Sequence, residues 1–321
     1  MKFTKSLAVA LALIVLPCGS AFAVFPDGKP VHLVNPFSAG GAGDIELRYL
    51  APMLEQKLGV PVVVGNMTGA GGKICMERMY KAKPDGHTLV YNNMPASVLQ
   101  EHLYNARFKV SEFGFLSNFG RENRFIAVLE SSPYKTFNDL FEAAKTKRIS
   151  TAVSGLGSSG HLGSVMLENG IGFKHSIVPF EGTAPSKAAF LGGHVDFWII
   201  GYGDLAPMLK DGKVRVLAVL ADKREAAYPD IPTLAELGYK NVLVFTARGL
   251  CCPPGTPEDV QKVLTDALAE VLNTDTVKEW AKTSMRSIDT RYGPAYRALY
   301  EEVDKLVLDA IPAMKASIGQ K

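Results

Sequence analysis

The stretch "VNPFSAGGAGD", residues 34–44, places an apolar run directly before a loop of three glycines, a serine and an aspartate. The segment that follows, residues 45–59, repeats leucine at helical spacing until Gly59. An apolar run, a glycine-rich loop and an amphipathic segment predict a strand, a loop and a capped helix. We interpret Asp44 as the helix N-cap, which accepts helix amides, with a second role in ordering ligand or water left open.

The same unit recurs along the chain. Strand-like runs also stand at residues 61–66, 87–93, 148–153 and 175–180, and two more follow as "VDFWII" and "VRVLAVL". Alternation of strands and helices predicts an α/β protein with mostly parallel sheets covered on both faces. Ligands of such sheets bind outside the carboxyl ends of the strands.

Four loops of small and polar residues follow predicted strands. They lie at residues 38–44 and 66–72 in the first third of the chain, and at 154–160 and 181–186 in the second. We therefore expect two doubly wound α/β domains that face each other across a ligand cleft.

Glycines in these loops allow backbone N–H groups to point inward, and the helix that follows adds its positive dipole end. The chemistry recurs at Gly69–Gly72 and at Ser158–Gly160, where serine hydroxyls add donors. No lysine or arginine stands at a loop tip. A small carboxylate fits this pattern better than a polyphosphate, which usually recruits a cation as well.

Composition restricts the function classes. The chain has 321 residues, 47% of them hydrophobic and 21% charged with mixed sign. Its length allows two cores, and the absence of a basic block disfavours nucleic-acid binding.

The N-terminus has the pattern of a secretory signal peptide, residues 1–23. Lys2 and Lys5 precede an apolar run too short to span a bilayer, and Ala21-Phe22-Ala23 supplies a cleavage site. We expect cleavage near Ala23, a nearly neutral mature chain and a periplasmic location.

Three cysteines remain in the mature chain: Cys75, Cys251 and Cys252. Adjacent cysteines bridge only with strain, so buried thiols are favoured, and a bond from Cys75 to one of the pair stays open.

Motifs for catalysis and metal binding are incomplete. Met67 and Ile74 break the Walker pattern, "GLGSSG" does not form a nucleophile elbow, and no histidine stands at metal-ligand spacing. We expect no cofactor and no metal. His161, beside Ser159, serves either packing or the ligand.

Eight motifs in order give the mature chain a family resemblance. They are "NPFSAGGAGD", "GNMTGAGGKI", "KPDGHTLVYN", "GLGSSGHL", "VPFEGTAPSKAAFLGGHVDF", "GKVRVLAV", "YPDIPTLAELGY" and "CPPGTPEDV". In this order and spacing they resemble the tripartite tricarboxylate transporter solute-binding proteins, also called the Bug family.

The resemblance implies the fold of a type II periplasmic binding protein, a receptor whose two domains close on a small organic acid. It implies domain 1 at residues 24–122 and 246–321, which includes the C-terminal helices, and domain 2 at residues 123–245. It also implies that the first loop and the Ser/Gly loop of the other domain hold a carboxylate through amides and water. The matching candidate ligand-binding residues are Phe37, Ser38, Gly40, Gly41, Ala42, Asp44, Asn66, Gly69, Ala70, Gly71, Ser158, Ser159, His161, Phe180, Glu181, Gly182, Thr183 and Ala184.

Departures from the family pattern bear on the ligand. The usual aromatic before the Gly-Leu of the crossing strand is absent, and Arg248 precedes Gly249 instead. Arg248 is interpreted as a solvated strand end, with a pairing to a second carboxylate left open. Glu181 suits an amino group or faces solvent.

Two functions are compatible with the sequence. The first is a monomeric periplasmic receptor that delivers a carboxylate to membrane transporter subunits or to a sensor ectodomain, without catalysis. The alternative is a secreted hydrolase or isomerase with His161 as base and Ser158 or Ser159 as nucleophile, which lacks an orienting acid at a recognisable spacing.

Overall fold

The computed structural model describes residues 25–180, 182–240, 242–284, 286 and 288–319. The predicted signal peptide and Glu181 lie outside these ranges.

The strands and helices alternate through most of the chain. The strands are β1 (Val31–Asn35), β2 (Val62–Asn66), β3 (Thr88–Met94), β4 (Gly114–Leu129), β5 (Ser150–Val153), β6 (Ser176–Pro179), β7 (Phe197–Gly201), β8 (Val214–Val219), β9 (Phe245–Cys252) and β10 (Arg291–Tyr292). The helices are α1 (Ala42–Leu58), α2 (Lys73–Tyr80), α3 (Ala96–Leu103), α4 (Phe137–Ala144), α5 (Ser159–Ile171), α6 (Thr183–Leu191), α7 (Tyr202–Lys210), α8 (Glu258–Leu272), α9 (Asp275–Thr283) and α10 (Pro294–Ser317). Within the described ranges, none of these helices has both the length and the apolar character that a bilayer crossing needs.

The sheet is parallel at its two ends and antiparallel in between. Strand β1 runs parallel to β2 and β3, and β5 runs parallel to β6 and β7. Between these groups β9 and β4 run antiparallel to their neighbours, in the order β2-β1-β3-β9-β4-β7-β5-β6. The predicted α/β class is confirmed, but the expectation of mostly parallel sheets fails at the centre, where two strands pass between the halves.

Strand β4 divides the sheet into two lobes. Residues 114–123 pair with β9, whereas from Arg124 onward the strand pairs with β7 and β8. We call β1–β3, α1–α3 and α8–α10 the first lobe, and β5–β8 with α4–α7 the second lobe. The change of partner falls close to the predicted limit at residue 122, and the domain limits themselves stay a prediction.

Helix α10 packs against both lobes. Its buried residues Tyr296, Leu299 and Val303 share one core with Val98 of α3 and with Leu162 at the start of α5. The last helix therefore covers more than the first domain, because its apolar face is long enough to reach the second lobe.

The three cysteines of the described chain are buried, free thiols. Burial raises the pKa of Cys75 to about 12 and that of Cys252 to about 11. The favoured interpretation as core residues is confirmed, and thiols in this state are poor nucleophiles.

We expect Leu299→Ala to destabilise the protein by about 2–5 kcal/mol, because it leaves a cavity in the core that α10 shares with both lobes. Leu308→Ala is the matched control on the same helix, since Leu308 is 47% exposed whereas Leu299 is fully buried. Chemical denaturation measures the free energy of unfolding of both variants. Equal losses for the two variants would contradict this assignment of the core.

Candidate ligand-binding site

The predicted loops lie side by side within each lobe. In the first lobe Asn35 pairs with Asn66, so the loops after β1 and β2 begin at the same level of the sheet. In the second lobe Val153 pairs with Pro179, which aligns the loops after β5 and β6. This is the carboxyl edge of the parallel strands, where ligands bind in α/β folds.

The side chain of Gln100 on α3 lies between loops of the two lobes. A Cβ atom on Gly71 would lie 2.5 Å from Nε2 of Gln100, and one on Gly157 would lie 3.2 Å from the same atom. Gln100 itself is buried. The loops at residues 66–72 and 154–160 therefore converge on one amide group from opposite lobes.

The first loop is fixed by its own polar groups. Nδ2 of Asn66 donates to the carbonyl of Phe37 at 3.0 Å. Gly40 has a positive φ of 76° and donates its amide to Oδ2 of Asp44 at 2.8 Å. Gly41 donates its amide to the carbonyl of Ser38 at 3.3 Å. The amides of Gly40 and Gly41 are thus used inside the loop.

Asp44 is not the N-cap of α1, as the sequence had indicated. Gly41 occupies the N-cap position without a side-chain cap, and Asp44 is the third helical residue. Burial raises the pKa of Asp44, but hydrogen bonds from Arg48 and from the Gly40 amide outweigh it and hold the pKa below its usual range. The carboxylate is paired with Nε of Arg48 at 3.0 Å, so its charge does not oppose an anion at the helix end.

Three amides at the start of α1 remain open. The N–H groups of Ala42, Gly43 and Asp44 have no acceptor among the described residues. Gly43 is required by packing, because a Cβ there would lie 2.7 Å from Cε1 of Tyr91. Three donors and a helix dipole together make this terminus suited to an anion.

The start of α5 presents a second set of donors from the other lobe. Ser158 is the N-cap, and its hydroxyl accepts from the amide of His161 at 3.2 Å. Within the described ranges the amides of Ser159 and Gly160 have no acceptor. One predicted serine thus caps the helix, and the residue after it supplies a free amide.

Helix α6 begins in the fourth loop. Gly182 is its N-cap, and the amides of Thr183 and Ala184 have no acceptor in the part of the chain that the structure describes. The carbonyl of Phe180 lies 3.8 Å from the position of a Cβ on Gly155, so this loop touches the loop after β5. The predicted residues of the second lobe are therefore neighbours.

The ring of His161 is occupied by protein groups. Nδ1 accepts from the amide of Gly157 at 3.0 Å, and Nε2 lies 3.0 Å from the hydroxyl of Ser317. That hydroxyl donates to the carbonyl of Met314 at 2.7 Å, which assigns the proton of the pair to Nε2. The fully buried ring positions the α5 loop and does not face a ligand.

Several residues of the cleft were missed by sequence reasoning. Asn93, Ser97 and Gln100 line a cavity together with Phe37 and Gly72. Asn93 stands near the end of β3, and the other two lie on α3. Polar residues at the end of a strand-like run were the available signal for Asn93, whereas nothing local marked Ser97 and Gln100.

The interpretation of Arg248 as a solvated strand end is wrong. Arg248 is 8% exposed, and its Nη2 lies 2.8 Å from Oε2 of Glu122. Its Nη1 lies 3.6 Å from Oε1 of Glu46. Burial would lower the pKa of Arg248, but the two carboxylates raise it above its usual value.

Comparison with known proteins identifies the family. A family model described as "Tripartite tricarboxylate transporter family receptor" matches residues 47–299, most of the chain. The chain belongs to this family. The predicted family is thereby confirmed, and the chain is a solute-binding receptor rather than an enzyme.

Curated relatives align with most of this chain. A protein of Cupriavidus necator, "UPF0065 protein in gbd 5'region", is 31% identical over 277 residues, which cover 84% of this chain and 82% of the relative. BugT of Bordetella pertussis is 29% identical over 289 residues, with coverage of 87% and 88%.

Solved structures confirm the periplasmic-binding-protein fold. MatC of Rhodopseudomonas palustris, solved with bound malate, is 26% identical with a TM-score of 0.77 and covers 89% of this chain and 99% of that one. Rpa4515 of R. palustris, solved with adipate, is 25% identical with a TM-score of 0.80 and coverage of 91% and 98%.

The buried histidine predicts a pH dependence of stability. Burial lowers the pKa of His161 from 6.5 to about 4. The native state therefore binds fewer protons than the unfolded chain in this window, so stability is complete above pH 6.5 and falls between pH 6.5 and 4. At 1.36 kcal/mol per pKa unit, the loss is about 3 kcal/mol.

We expect His161→Gln to remove this part of the pH dependence, because the amide can replace both ring hydrogen bonds without titrating. Denaturation at a series of pH values measures it, with His32→Gln on the exposed position of β1 as control. If the two proteins differed in free energy of unfolding by the same amount at every pH between 6.5 and 4, the assignment would be wrong.

Proposed function

We propose that this receptor captures a small organic carboxylate between its two lobes in the periplasm. The observation that carries the proposal is the set of open amides at the starts of α1 and α5, which belong to opposite lobes. The further proposal is delivery of the ligand to a membrane transporter of the tripartite tricarboxylate type or to a sensor.

Backbone amides favour a carboxylate for physical reasons. A hydrogen bond to a charged group contributes about 1.5–3 kcal/mol, and amides fixed by a helix are aligned before the ligand arrives. The dipole of each helix adds favourable potential at its own start. The loop residues at both termini carry no lysine or arginine, so recognition at this end of the ligand is directional rather than ionic.

The candidate site residues follow from this geometry. We assign direct contact to the first loop, residues 38–44, through its open amides at Ala42 to Asp44, and to Ser159 and Gly160 of the second lobe. The loops at residues 66–72 and 180–184 form the walls. Phe37 lines the cavity, and His161 holds its loop from inside. The proposed movement is closure of the lobes about β4 and β9, whose residues connect them.

Relatives of known structure support a carboxylate ligand. MatC holds malate and Rpa4515 holds adipate, each on the same fold at 25–26% identity. Both ligands are small and carry carboxylates, which is the chemistry that the open amides suit.

The alternative function, a hydrolase or isomerase, loses its central residue. A general base must present a free ring nitrogen near the substrate. Both nitrogens of His161 are bound to protein groups, and burial holds its pKa at about 4. The geometry therefore favours reversible binding.

A thermal-shift screen of carboxylates tests the function. A ligand at 100 times its Kd stabilises the native state by about 2.7 kcal/mol, which raises the Tm by about 4 °C in a protein of about 300 residues. The hit is then recovered after incubation and identified by mass spectrometry. Unchanged ligand is the expected result, whereas conversion to product would establish an enzyme.

We expect Ala42→Pro to weaken carboxylate binding at least about tenfold, or 1.4 kcal/mol, while leaving α1 intact. Proline is favoured at the first helical position, and the extended Gly41, at φ −76° and ψ 171°, is compatible with a following proline. The variant therefore removes one open amide and little else.

Glu258→Pro is the matched control. Glu258 is the first residue of α8, as Ala42 is of α1, and α8 begins beyond the end of β9 that lies opposite the proposed cleft. Calorimetry measures affinity, and circular dichroism measures helix content. Normal binding by Ala42→Pro would show that the start of α1 does not hold the ligand.

A further inference from the structure

A cluster of charged side chains lies where the two lobes join. We call Glu46, Glu122, Arg124, Arg248 and Arg286 the floor cluster. Glu46 comes from α1, Glu122 and Arg124 from β4, Arg248 from β9, and Arg286 from the segment before β10. The cluster holds three guanidinium groups and two carboxylates, so one positive charge is in excess.

The register of the sheet places this cluster at the floor of the cleft. Arg248 pairs with Asn93, which lines the cavity beside Phe37. Arg124 pairs with Gly201, the last residue of β7 and the N-cap of α7. Both arginines therefore lie level with the carboxyl ends of the parallel strands, one beside each lobe.

Both glutamates are fully used by protein donors. Glu46 accepts from the hydroxyl of Tyr91 at 2.6 Å and pairs with Arg286 and, at 3.6 Å, with Arg248. Glu122 accepts from Arg248 and from the amide of Gly203, each at 2.8 Å. Two of the three cations are neutralised by these contacts.

Arg124 is the cation that is left over. Its Nη2 contacts only the hydroxyl of Thr246, and within the described ranges it has no carboxylate at 4.0 Å or less. Its Nε is buried without an acceptor among the described residues, as are those of Arg248 and Arg286. Arg124 as a residue is half-buried.

Neighbouring charges do not replace the missing partner. The charge of Asp204 raises the pKa of Arg124, but Asp204 is not within 4.0 Å of that arginine and is paired with Lys187 at 3.9 Å. Burial and the charge of Arg248 lower the pKa of Arg124 by more than Glu122 and Asp204 restore, whereas the pKa of Arg248 is raised. The protein thus compensates Arg248 with paired carboxylates and Arg124 only partly, from carboxylates that are not paired with it.

We infer that Arg124 binds a second acidic group of the ligand, so that the receptor selects diacids over monoacids. The inference rests on the proposed function: the amides of α1 and α5 hold one carboxylate, and the guanidinium at the floor takes the other. Arg124, rather than Arg248, is the specificity-determining arginine, because Arg248 already has two carboxylates.

A partly buried cation without a paired carboxylate also has a cost to the empty protein. Removing water from a charge without supplying a partner destabilises the folded state. Arg124→Gln is therefore expected to leave the Tm of the empty receptor unchanged or higher. A residue with a purely structural role would show the opposite sign, because its removal would lower the Tm.

The test uses diacids and matched monoacids with the purified receptor. Isothermal titration calorimetry compares the linear dicarboxylates from malonate to adipate and the three benzenedicarboxylates with butyrate, hexanoate and benzoate. Arg124→Gln should weaken the best diacid at least tenfold and change any monoacid less than twofold. Arg124→Lys keeps the charge without the planar guanidinium, so its affinity for the diacid should lie between those of wild type and Arg124→Gln.

Arg121→Gln is the matched control. Arg121 lies three residues earlier on β4, but its guanidinium lies 3.8 Å from the centre of the Phe245 ring and 3.8 Å from Glu302, outside the floor cluster. Its removal should not change the ratio of diacid to monoacid affinity.

The possible failures are distinguishable. If wild type binds monoacids as tightly as diacids, or if Arg124→Gln weakens both classes alike and lowers the Tm, the inference is wrong and the carboxylate receptor stands. If wild type binds neither class while circular dichroism shows a folded chain, the proposed function fails and the inference fails with it.

Discussion

One strand carries the hydrogen bonds of both lobes. Residues 114–123 of strand β4 pair with β9, and the rest of the strand pairs with β7 and β8. Each lobe therefore completes its sheet with part of the same 16-residue strand. Neither lobe has an independent centre. The loops of both lobes are therefore held in position by one common strand. The distance between the loops of opposite lobes depends on a few residues around Asn123, where that strand changes partners.

The proposed cleft combines two ways of holding negative charge. At its rim, helix termini offer aligned amides, whose partial charges need no counterion and cost little when no ligand is present. At its floor, full charges from arginine require partners, and the protein provides Glu46 and Glu122 for Arg248. The difference matters because an amide reads the direction of an acceptor, whereas a guanidinium reads both its charge and its planar shape.

The sequence predicted the parts of the site that depend on local chemistry. Glycines after apolar runs located the loops, since their backbone geometry is set within a few residues. The long strand β4 escaped because polar residues, "GRENR" at 120–124, interrupt its apolar pattern where it passes between the lobes. Those residues contact separate partners rather than a uniform core: Arg121 lies over the Phe245 ring, Glu122 pairs with Arg248, and Asn123 donates to Glu225.

Long-range pairing explains the remaining errors. Arg248 looked like a strand end in water because its partners stand far away in the chain, at Glu46 and Glu122. Asp44 was assigned the wrong helix position because the cap is Gly41, which offers no side chain to recognise. Gln100 had no local signal at all, because its importance arises only when loops from two lobes meet on it.

Helix α10 gives the fold a use beyond recognition. It starts beside β4 through Tyr296 in the first lobe, and its last turn ends at Ser317 against His161 in the second. Any change in the angle between the lobes must act on that last turn, as on the free end of a lever. If the lobes close on a ligand as proposed, a dye placed there would turn occupancy of the cleft into a change of fluorescence, and the chain would serve as an optical sensor of its ligand.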